Sequence, residues 1–421
     1  MARILIIGIN YAPESIGAGK YTSEMAAWLA AKGHVVRVVT APPYYPAWRV
    51  AVGYRRWWWS REIIEGVEVV RCPLWVPAKP RGLSRIVHLV SFGISSLPPL
   101  IGSKAFQPHL VINIAPSLTS APGALLAAKL SKAQSWLHVQ DFELDAALDM
   151  GIVEAGPARQ LAIGAERLIM RAFSRVSTIS EKMLKRLVAK GVDADACVFL
   201  PNWADIDSIR PLDTPSPYRA ELGIPDDALV ALYSGNMGLK QGLELLGEIA
   251  HATADEATLH YVFAGQGPGR EALQESCRGL SNVHFLDLQP IERLNDWLGL
   301  ADIHLLPQRA DVADLVMPSK LTGMLASGRP VVATAMLGTG VANALQTSGI
   351  SVPPGSSAGM VQALLSLASA PETRRKMGQA ARMQAESSLA RDAILGRLNC
   401  EIQLLLAHGA PGKFSTDTDQ V

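Results

Sequence analysis

The sequence predicts an α/β protein made of two doubly wound domains, each built on a parallel sheet. Short apolar runs alternate with amphipathic stretches over most of the chain, as in successive strand–helix units. The alternation stops at a polar segment with three prolines, residues 205–217, and then begins again. Ligands of such sheets bind beyond the carboxyl ends of the strands, so the turns that follow the strands are the candidate sites.

The first half of the chain carries seven candidate strands. They are Arg3–Ile9, His34–Thr40, Val67–Cys72, Leu110–Ile114, Trp136–Gln140, Val176–Ile179 and Cys197–Leu200. Each is followed by a turn and a helical pattern. The clearest helix, Tyr21–Lys32, ends before Gly33, because glycine readily adopts the left-handed conformation that ends a helix. These elements predict a first domain over residues 1–208.

The second half carries five candidate strands and a long helical end. The strands are Leu229–Ser234, Leu259–Ala264, Val283–Leu288, Ile303–Leu306 and Val331–Thr334. They predict a second domain over residues 209–385. The helical pattern from Glu372 to Leu406 has no strand after it, so we expect a C-terminal helix over residues 386–408 that returns to the first domain. The tail, residues 409–421, has a composition typical of disorder.

Composition and charge exclude several classes of protein. Of the 421 residues, 49% are hydrophobic and 18% are charged, which is too apolar for a disordered chain. The net charge of +1 gives no sign of nucleic-acid binding, and four scattered cysteines suit a reducing compartment. The longest apolar stretch, Ile86–Gly102, falls short of the ~20 apolar residues of a spanning helix. We therefore expect a cytoplasmic protein.

The first candidate site is a glycine-rich turn after the first strand. Gly17, Ala18, Gly19 and Lys20 lie where backbone N–H groups can approach an anionic or hydroxylated ligand. A dinucleotide fingerprint fits poorly, because no third glycine follows and no acidic residue ends the second strand. A plain turn without a ligand is the alternative.

The turns of the second half combine glycines with lysines. Residues that would bind an anion there are Gly235, Asn236, Lys240, Gly242, Gly265, Gln266, Ser319 and Lys320. A diphosphate could lie on the backbone N–H groups of these turns, with Lys240 and Lys320 countering its charge. Two unrelated surface lysines are the alternative.

These motifs resemble the donor-binding domain of retaining glycosyltransferases of family 4. The segments that carry the resemblance are residues 234–242, 318–320 and 326–331. Members of that family have the GT-B architecture, in which two Rossmann-like domains face a central cleft. Segments of the first half are similar to enzymes of bacterial exopolysaccharide (colanic acid) synthesis, namely residues 8–14, 17–22, 40–46 and 138–141. The resemblance extends from Arg3 to about Leu406.

The resemblance implies a retaining, metal-independent hexosyltransferase without a cofactor. Its donor would be a GDP- or UDP-linked sugar, such as GDP-fucose, and its acceptor a polyprenyl-linked glycan. Lys240 and Lys320 would neutralise the diphosphate, while His138 would bind the donor sugar or its phosphate and Asp141 the acceptor. The further substrate-binding residues that it implies are Leu288, Gln289, Asp314, Leu321 and Thr322. A histidine that is hydrogen-bonded for structural reasons is the alternative for His138.

The sequence departs from the family pattern at three positions. The family usually carries Glu-x7-Glu before residues 326–331, and here the two glutamates fall on Leu315 and Gly323, with Asp314 as a neighbouring substitute for the first. The usual arginine of the phosphate turn is Asn236. These departures keep open a non-catalytic GT-B partner subunit. A GT-B sugar-nucleotide 2-epimerase is the rival enzyme.

Three carboxylates after the fifth strand, Glu143, Asp145 and Asp149, could be read as a metal site. They directly precede or lie within a helical pattern, so we expect them to cap and flank that helix instead. The family resemblance also implies chemistry without a metal ion. We therefore predict no metal site.

An aromatic and basic stretch, residues 48–85, belongs to none of these motifs. It holds five tryptophans and eight basic residues against three glutamates. That combination suits a membrane interface with anionic headgroups. We expect peripheral contact with the inner face of the plasma membrane through Arg55, Arg56, Trp57, Trp58 and Trp59. A solvated loop with tryptophans in the core or at a dimer contact is the alternative.

Overall fold

The protein, described by a computed structural model over residues 1–14, 17–78, 82–149, 156–238, 241–309 and 318–408, divides into two compact units. The first unit contains Met1–Pro201 and the chain from Leu395 on, and the second contains Asn202–Ile394. The sequence placed this boundary after residue 208. The structure places it earlier because Ala204 already pairs with Ala390 and is buried in the core of the second unit.

The first unit is built, over its described residues, on an eight-stranded sheet. Its strands are β1 (Arg3–Ile7), β2 (Val35–Thr40), β3 (Ser60–Ile64), β4 (Val67–Arg71), β5 (Leu110–Ala115), β6 (Gln134–Val139), β7 (Arg175–Thr178) and β8 (Cys197–Phe199). The order across the sheet is β3-β4-β2-β1-β5-β6-β7-β8, and β3 runs antiparallel to β4. The sequence did not predict β3, because it is an edge strand with exposed or half-exposed residues and no apolar run.

The helices of the first unit cover both faces of this sheet. They are α1 (Gly17–Ala31), α2 (Leu83–Gly102), α3 (Ala121–Ser131), α4 (Glu143–Asp149), α5 (Pro157–Arg171) and α6 (Glu181–Ala189). Gly33 follows α1 with φ +87°, the left-handed conformation that the sequence predicted. Every residue of β5 is buried, as expected of a central strand in a sheet covered on both faces.

One helical segment among the described residues, Leu83–Ala105, is long and apolar enough to cross a membrane by length and composition. This corrects the expectation that the stretch is too short, because the helix begins three residues earlier and continues into a 3₁₀ turn, Ser103–Ala105. The helix packs one face on the first unit. Phe92, Ser96 and Leu100 are buried on that face.

The second unit is built on a parallel sheet of six strands within its described residues. They are β9 (Leu229–Ser234), β10 (Leu259–Ala264), β11 (Val283–Leu286), β12 (Ile303–Leu306), β13 (Val331–Thr334) and β14 (Gly349–Val352). Their order, β11-β10-β9-β12-β13-β14, is that of a doubly wound fold, whose ligands bind where the order reverses, at the ends of β9 and β12. The sequence missed β14, a four-residue edge strand.

The helices of the second unit and the C-terminal segment complete the fold. They are α7 (Tyr218–Leu222), α8 (Glu244–Ala252), α9 (Arg270–Ser276), α10 (Leu294–Gly299), α11 (Ser319–Ala326), α12 (Gly340–Ala344), α13 (Ser357–Ala368), α14 (Pro371–Gln384) and α15 (Arg391–His408). The expected single C-terminal helix is interrupted by a π-helical turn, Ala385–Leu389. From Leu395 on, α15 belongs to the first unit, where Asn399 Oδ1 lies 2.9 Å from His34 Nε2. Residues 409–421 lie outside the described residues.

Alternate residues of β9 show how the sheet of the second unit is covered. Val230 and Leu232 belong to one buried apolar cluster, while Ala231 and Tyr233 belong to another. Successive side chains of a strand point to opposite faces, so both faces carry an apolar layer. The strand is therefore held rigidly, and the turn that follows it starts from a well-defined position.

Candidate active site

The turns after β9 and β10 are joined to each other in the second unit. Gly235 N donates to Ala264 O at 2.9 Å, and Met237 N donates to Gln266 O at 2.9 Å. Gly265 has φ +153°, and a Cβ added there would lie 1.8 Å from Gly235 O. Only glycine fits at this contact, so the two turns form one backbone-lined edge.

Lys320, in the first turn of α11, lies against this edge. Its Nζ is 4.3 Å from the ring centroid of Tyr233 and 3.4 Å from Gln241 Oε1. A Cβ built on Gly235 would lie 3.8 Å from the same Nζ. The structure thus brings Lys320 to the turn after β9, across more than 80 residues of sequence, as the sequence predicted for this lysine.

The electrostatic state of Lys320 follows from its surroundings. Within the described part of the chain, no carboxylate lies within ion-pair distance of its ammonium group. Desolvation by burial lowers the pKa of Lys320 to about 7. The ammonium is therefore only partly populated near neutral pH, and an anion placed beside it would favour the charged form.

Two of the predicted charged residues cannot be compared with this geometry. Lys240 and Asp314 lie outside the described residues, as does Leu315. Gln241, the next residue after Lys240, accepts from the Lys320 side chain. The roles of Lys240 and Asp314 remain predictions.

The other predicted donor-binding residues of the second unit surround the same edge in different ways. Gly242 has φ +64° and precedes α8, and Asn236 and Gln266 lie in the joined turns. Ser319 is exposed at the start of α11, whose N-cap, Pro318, provides no side-chain hydrogen bond. The binding roles of all these residues remain predictions.

Burial or an existing hydrogen bond limits what the side chains of three of four further predicted residues can offer a ligand. Leu321 and Thr322 are buried, and Thr322 Oγ1 donates to Ser319 O at 2.9 Å. Gln289 Oε1 accepts from Tyr218 Oη at 2.9 Å, whereas the Leu288 side chain is exposed. The side chains of Leu321 and Thr322 are therefore not available to a ligand in this arrangement, and their binding roles remain predictions.

Gly323, where the family pattern has its second glutamate, faces the core. A Cβ added at Gly323 would lie 3.3 Å from Leu298 Cδ1, a tight contact. A larger side chain would therefore have to displace the Leu298 side chain. This chain therefore lacks the family's glutamate at position 323, and the side chains around that position are packed for a glycine.

In the first unit, Glu14 joins the turns after β1 and β2. Its Oε1 accepts from the backbone N–H groups of Tyr44 and Tyr45 at 2.7 and 2.8 Å, and its Oε2 accepts from Asn10 Nδ2 at 2.8 Å. Burial raises the pKa of the Glu14 carboxyl, while these three hydrogen bonds oppose the shift. A Cβ at Gly19 would lie 3.1 Å from Glu14 Cβ, so the glycine-rich turn packs directly on this side chain.

Arg71, from the end of β4, holds the same two turns from the other side. Its Nη2 donates to Ala12 O at 2.5 Å and its Nη1 to Ala41 O at 3.0 Å, while its Nε donates to Glu62 Oε1 at 2.6 Å. The side chain is 1% exposed. The sequence counted Arg71 in the basic stretch and missed both this role and that of Glu14. A lone charged residue at the end of an apolar strand was the available signal.

His138 lies inside the sheet of the first unit, at the end of β6. Its Nδ1 is 2.8 Å from Ser177 Oγ, which also accepts from Trp136 Nε1, and Gln140 Nε2 lies 3.0 Å from His138 Nε2. Burial lowers the pKa of His138 to about 4, so the imidazole is neutral at physiological pH. With both ring nitrogens occupied, this arrangement favours the structural alternative, and donor binding by His138 remains a prediction.

Gly17–Lys20, which the sequence placed in a turn before the helix, form the first turn of α1 and are accessible to different degrees. Gly17 is exposed with φ +60°, Ala18 is half-buried, and Gly19 is buried. Lys20 Nζ lies 3.9 Å from Glu24 Oε1 one helical turn away. Asp141 follows β6 and is half-buried. No contact of these residues decides whether they bind an acceptor, so that role too stays a prediction.

The carboxylates after β6 have separate tasks. Glu143 Oε2 accepts from Leu118 N at 2.8 Å, and burial raises its pKa. Asp145 accepts from Arg186 Nε at 2.7 Å and from Lys190 Nζ at 2.9 Å. Among the described residues no group of His, Cys, Asp or Glu side chains is arranged to hold a metal ion. The Asp149 side chain lies outside what the structure describes.

Comparison with known proteins identifies the family. Residues 17–203 match the sequence model described as "Glycosyl transferase 4-like domain", and residues 228–370 match "Glycosyl transferases group 1". Over 342 residues the chain is 44% identical to WcaI of Escherichia coli strain K12, a glycosyl transferase named for colanic acid biosynthesis. That alignment covers 79% of this chain and 83% of WcaI. The chain belongs to glycosyltransferase family 4.

Solved structures with the same fold support the architecture of this glycosyltransferase. Sucrose-phosphate synthase from Thermosynechococcus elongatus superposes with a TM-score of 0.76 at 17% identity, covering 97% of this chain and 100% of that one. HepE of Anabaena, in complex with UDP-glucose, gives 0.68 at 13% identity, covering 96% and 100%. The predicted GT-B fold and the family resemblance are both confirmed.

Proposed function

We propose that this glycosyltransferase moves a hexosyl group from a nucleoside-diphosphate sugar to a lipid-linked oligosaccharide in exopolysaccharide synthesis. The observation that carries the proposal is the Lys320 ammonium beside the glycine turn at Gly235. The name of WcaI, which refers to colanic acid biosynthesis, supports a polysaccharide of that kind. The UDP-glucose complex of HepE supports a nucleotide-linked donor. We propose a GDP- or UDP-linked sugar, with GDP-fucose as the first candidate.

The donor diphosphate would lie along the edge formed by the turns at Gly235 and Gly265. In glycosyl transfer the bond between the anomeric carbon and the diphosphate oxygen breaks, and an oxocarbenium-like state forms while negative charge grows on the diphosphate. Backbone N–H groups and Lys320, with Lys240, would stabilise that charge. An acceptor hydroxyl attacking from the face that the diphosphate leaves would retain the anomeric configuration and pass its proton to an oxygen of the departing diphosphate.

Cationic side chains would take the place of a metal ion in this reaction. Lys320 supports this because its ammonium has no carboxylate partner among the residues described around it, and so could pair with a diphosphate oxygen. Activity should therefore persist in excess EDTA. Restoration of lost activity by Mg²⁺ or Mn²⁺ would contradict this part of the proposal.

The first unit would bind the acceptor. Gly17, Ala18, Gly19 and Lys20 form the first turn of α1, which packs on the buried Glu14 side chain, and this supports a pre-organised surface there. Asp141 would accept a hydrogen bond from an acceptor hydroxyl. Because polyprenyl-linked acceptors reside in the membrane, we propose a cytoplasmic protein at the inner face of the plasma membrane.

The test combines donor binding with product analysis. The purified protein is screened by thermal shift against GDP, UDP and their sugars, since a ligand at about 100 times its Kd stabilises by ~2.7 kcal/mol. The preferred donor is then incubated with a membrane lipid extract, and the product is analysed by mass spectrometry. Lys320→Ala should lose about 10²–10³-fold in rate. Lys376→Ala, an exposed lysine of the same unit, serves as the matched control.

The two rival functions give different products. A sugar-nucleotide 2-epimerase would convert the donor in the absence of any acceptor, and its product would be a stereoisomer of the donor sugar. A non-catalytic partner subunit would bind the donor without hydrolysing or transferring it. Either result would replace the proposed transferase, whereas wild-type turnover in Lys320→Ala would overturn the role given to Lys320.

A further inference from the structure

The outer face of α2 is an apolar stripe exposed to solvent. Its exposed apolar residues are Leu83, Ile86, Val87, Val90, Ile94 and Ile101. Successive members of this set are separated by one, three, four or seven residues. At about 3.6 residues per turn, these side chains share one face of the helix. The opposite face carries Phe92, Ser96 and Leu100, which are buried. A surface helix usually buries its apolar side chains and exposes its polar ones. In α2, apolar side chains are exposed to solvent as well.

Three consecutive tryptophans lie next to this stripe. Trp57, Trp58 and Trp59 are 58%, 69% and 42% exposed. Trp59 Nε1 donates to Ser95 O of α2 at 3.0 Å, which attaches the tryptophan segment to the helix beside Ile94. Helix and tryptophans therefore form one continuous surface, which we call the α2–tryptophan surface.

Basic residues border the α2–tryptophan surface. Arg55 and Arg56 are exposed, and the Arg56 guanidinium lies 4.6 Å from the ring centroid of Trp57. The α2 sequence contains no acidic residue. Two of the three glutamates in residues 48–85 are paired with arginines, Glu62 with Arg71 and Glu68 with Arg37 and Arg61.

The structure also separates the residues that the sequence grouped by composition. Trp48 packs on Tyr44 and His88, with ring centroids 5.5 and 5.3 Å apart, and Arg71 is buried under the turns. Trp48 and Arg71 are therefore not part of any docking surface. The segment Arg55–Trp59 and the outer face of α2, by contrast, are exposed to solvent.

We propose that the α2–tryptophan surface docks onto an anionic lipid bilayer, with α2 lying in the plane of the interface. Tryptophan rings and apolar side chains would enter the boundary between headgroups and acyl chains, while the arginines pair with lipid phosphates. A second copy of the chain fits the charge less well, because a two-fold dimer would place the arginine-bordered patch against itself. The proposal deepens the proposed function and rests on its placement of the protein at the inner face of the plasma membrane, but docking itself needs neither donor nor acceptor.

A spanning orientation of α2 conflicts with its buried face. The His88 imidazole Nδ1 lies 2.7 Å from Trp75 O, and a Cβ added at Gly93 would lie 2.7 Å from Thr119 O, so the helix packs closely on its own unit. Spanning would require these contacts to be replaced by lipid. Docking in the interface leaves them intact.

The test is cosedimentation of the full chain with vesicles. One set is phosphatidylcholine alone, and in the other one lipid in four is phosphatidylglycerol. We expect binding to the anionic set that weakens with added salt. Ile94→Glu and Trp58→Glu should each weaken it about tenfold to a hundredfold. Arg55→Glu should weaken it at least fivefold, since one basic residue near an anionic surface is worth roughly that factor.

Leu337→Glu is the matched control, because Leu337 is 93% exposed in the second unit and lies outside the surface. It should bind vesicles like the wild type, and all variants should keep the wild-type melting temperature. Undiminished binding of Ile94→Glu and Trp58→Glu would overturn the proposal. So would resistance of the native protein to extraction from membranes by carbonate, which would indicate a spanning helix. A dimer in solution that is lost in Ile94→Glu, without vesicle binding by the wild type, would assign the surface to a second copy.

Discussion

Lys320 should make nucleotide binding depend on pH, and the size of the effect follows from its environment. In the ligand-free protein, burial lowers the pKa of Lys320 to about 7. A bound diphosphate next to the ammonium stabilises the charged form and raises that pKa again. Binding therefore takes up protons, and the affinity for GDP or UDP must fall as the pH rises above about 7.

The magnitude can be worked out from the protonated fraction. An amine with a pKa of about 7 is half charged at about pH 7 and about 3% charged at about pH 8.5. Since only the charged form binds the diphosphate well, the apparent Kd should rise on the order of 15-fold over this interval. The nucleotide itself contributes little there, because its terminal phosphate is ionised above about pH 6.

Isothermal titration calorimetry with GDP and UDP measures this effect directly. At about pH 7, titrations in two buffers of different ionisation enthalpy should reveal uptake of about half a proton. Lys320→Arg is the decisive control, because a guanidinium stays charged throughout this range and its Kd should be flat. A flat Kd for the wild type, or an equal slope for Lys320→Arg, would refute the assignment of Lys320 to the diphosphate.

Three further predictions concern the stability of the folded protein. Gly265→Ala should lower both the melting temperature and nucleotide affinity, because its Cβ would lie 1.8 Å from a backbone oxygen, whereas Gly340→Ala, which meets open space, should change neither. Lys190→Met leaves the buried Glu166 carboxylate without its ion-pair partner and removes one of the two cationic partners of Asp145, so it should cost about 3–5 kcal/mol in urea unfolding; a loss under about 1 kcal/mol would argue against the buried ion pairs. Burial lowers the pKa of His138 to about 4 and of His304 to about 3, so the native state binds fewer protons than the unfolded chain below about pH 6.5. Melting temperatures should therefore be highest above that pH and fall towards about pH 4.5, and a flat profile would contradict the buried neutral imidazoles.

Strands with continuous apolar runs could be located from the sequence to within one or two residues. β9 and β10 begin and end where the pattern predicted, because central parallel strands are buried on both faces and so read as unbroken apolar runs. β3 and β14 could not be found in this way. β3 is a charged edge strand, and β14 is a short strand that is half-exposed at its centre.

The sequence likewise predicted some parts of the candidate site and could not predict others. Glycine turns before helices are local patterns, so Gly235 and Gly265 could be predicted as part of the site. The contacts of His138 could not, because Ser177 is 39 residues away and belongs to the neighbouring strand. Nor could the turn-holding roles of Glu14 and Arg71 be predicted, since each depends on backbone groups of loops distant in sequence.

The sequence by itself determined the two-domain α/β fold, the family and the set of glycine turns, because each of these depends on residues close together along the chain. Only the tertiary structure decided which members of the aromatic and basic stretch face solvent and which are buried. Trp48 and Arg71 turn inward, whereas Trp57–Trp59 join α2 at the surface. Burial depends on contacts between segments that are far apart in sequence, and composition counts every residue alike.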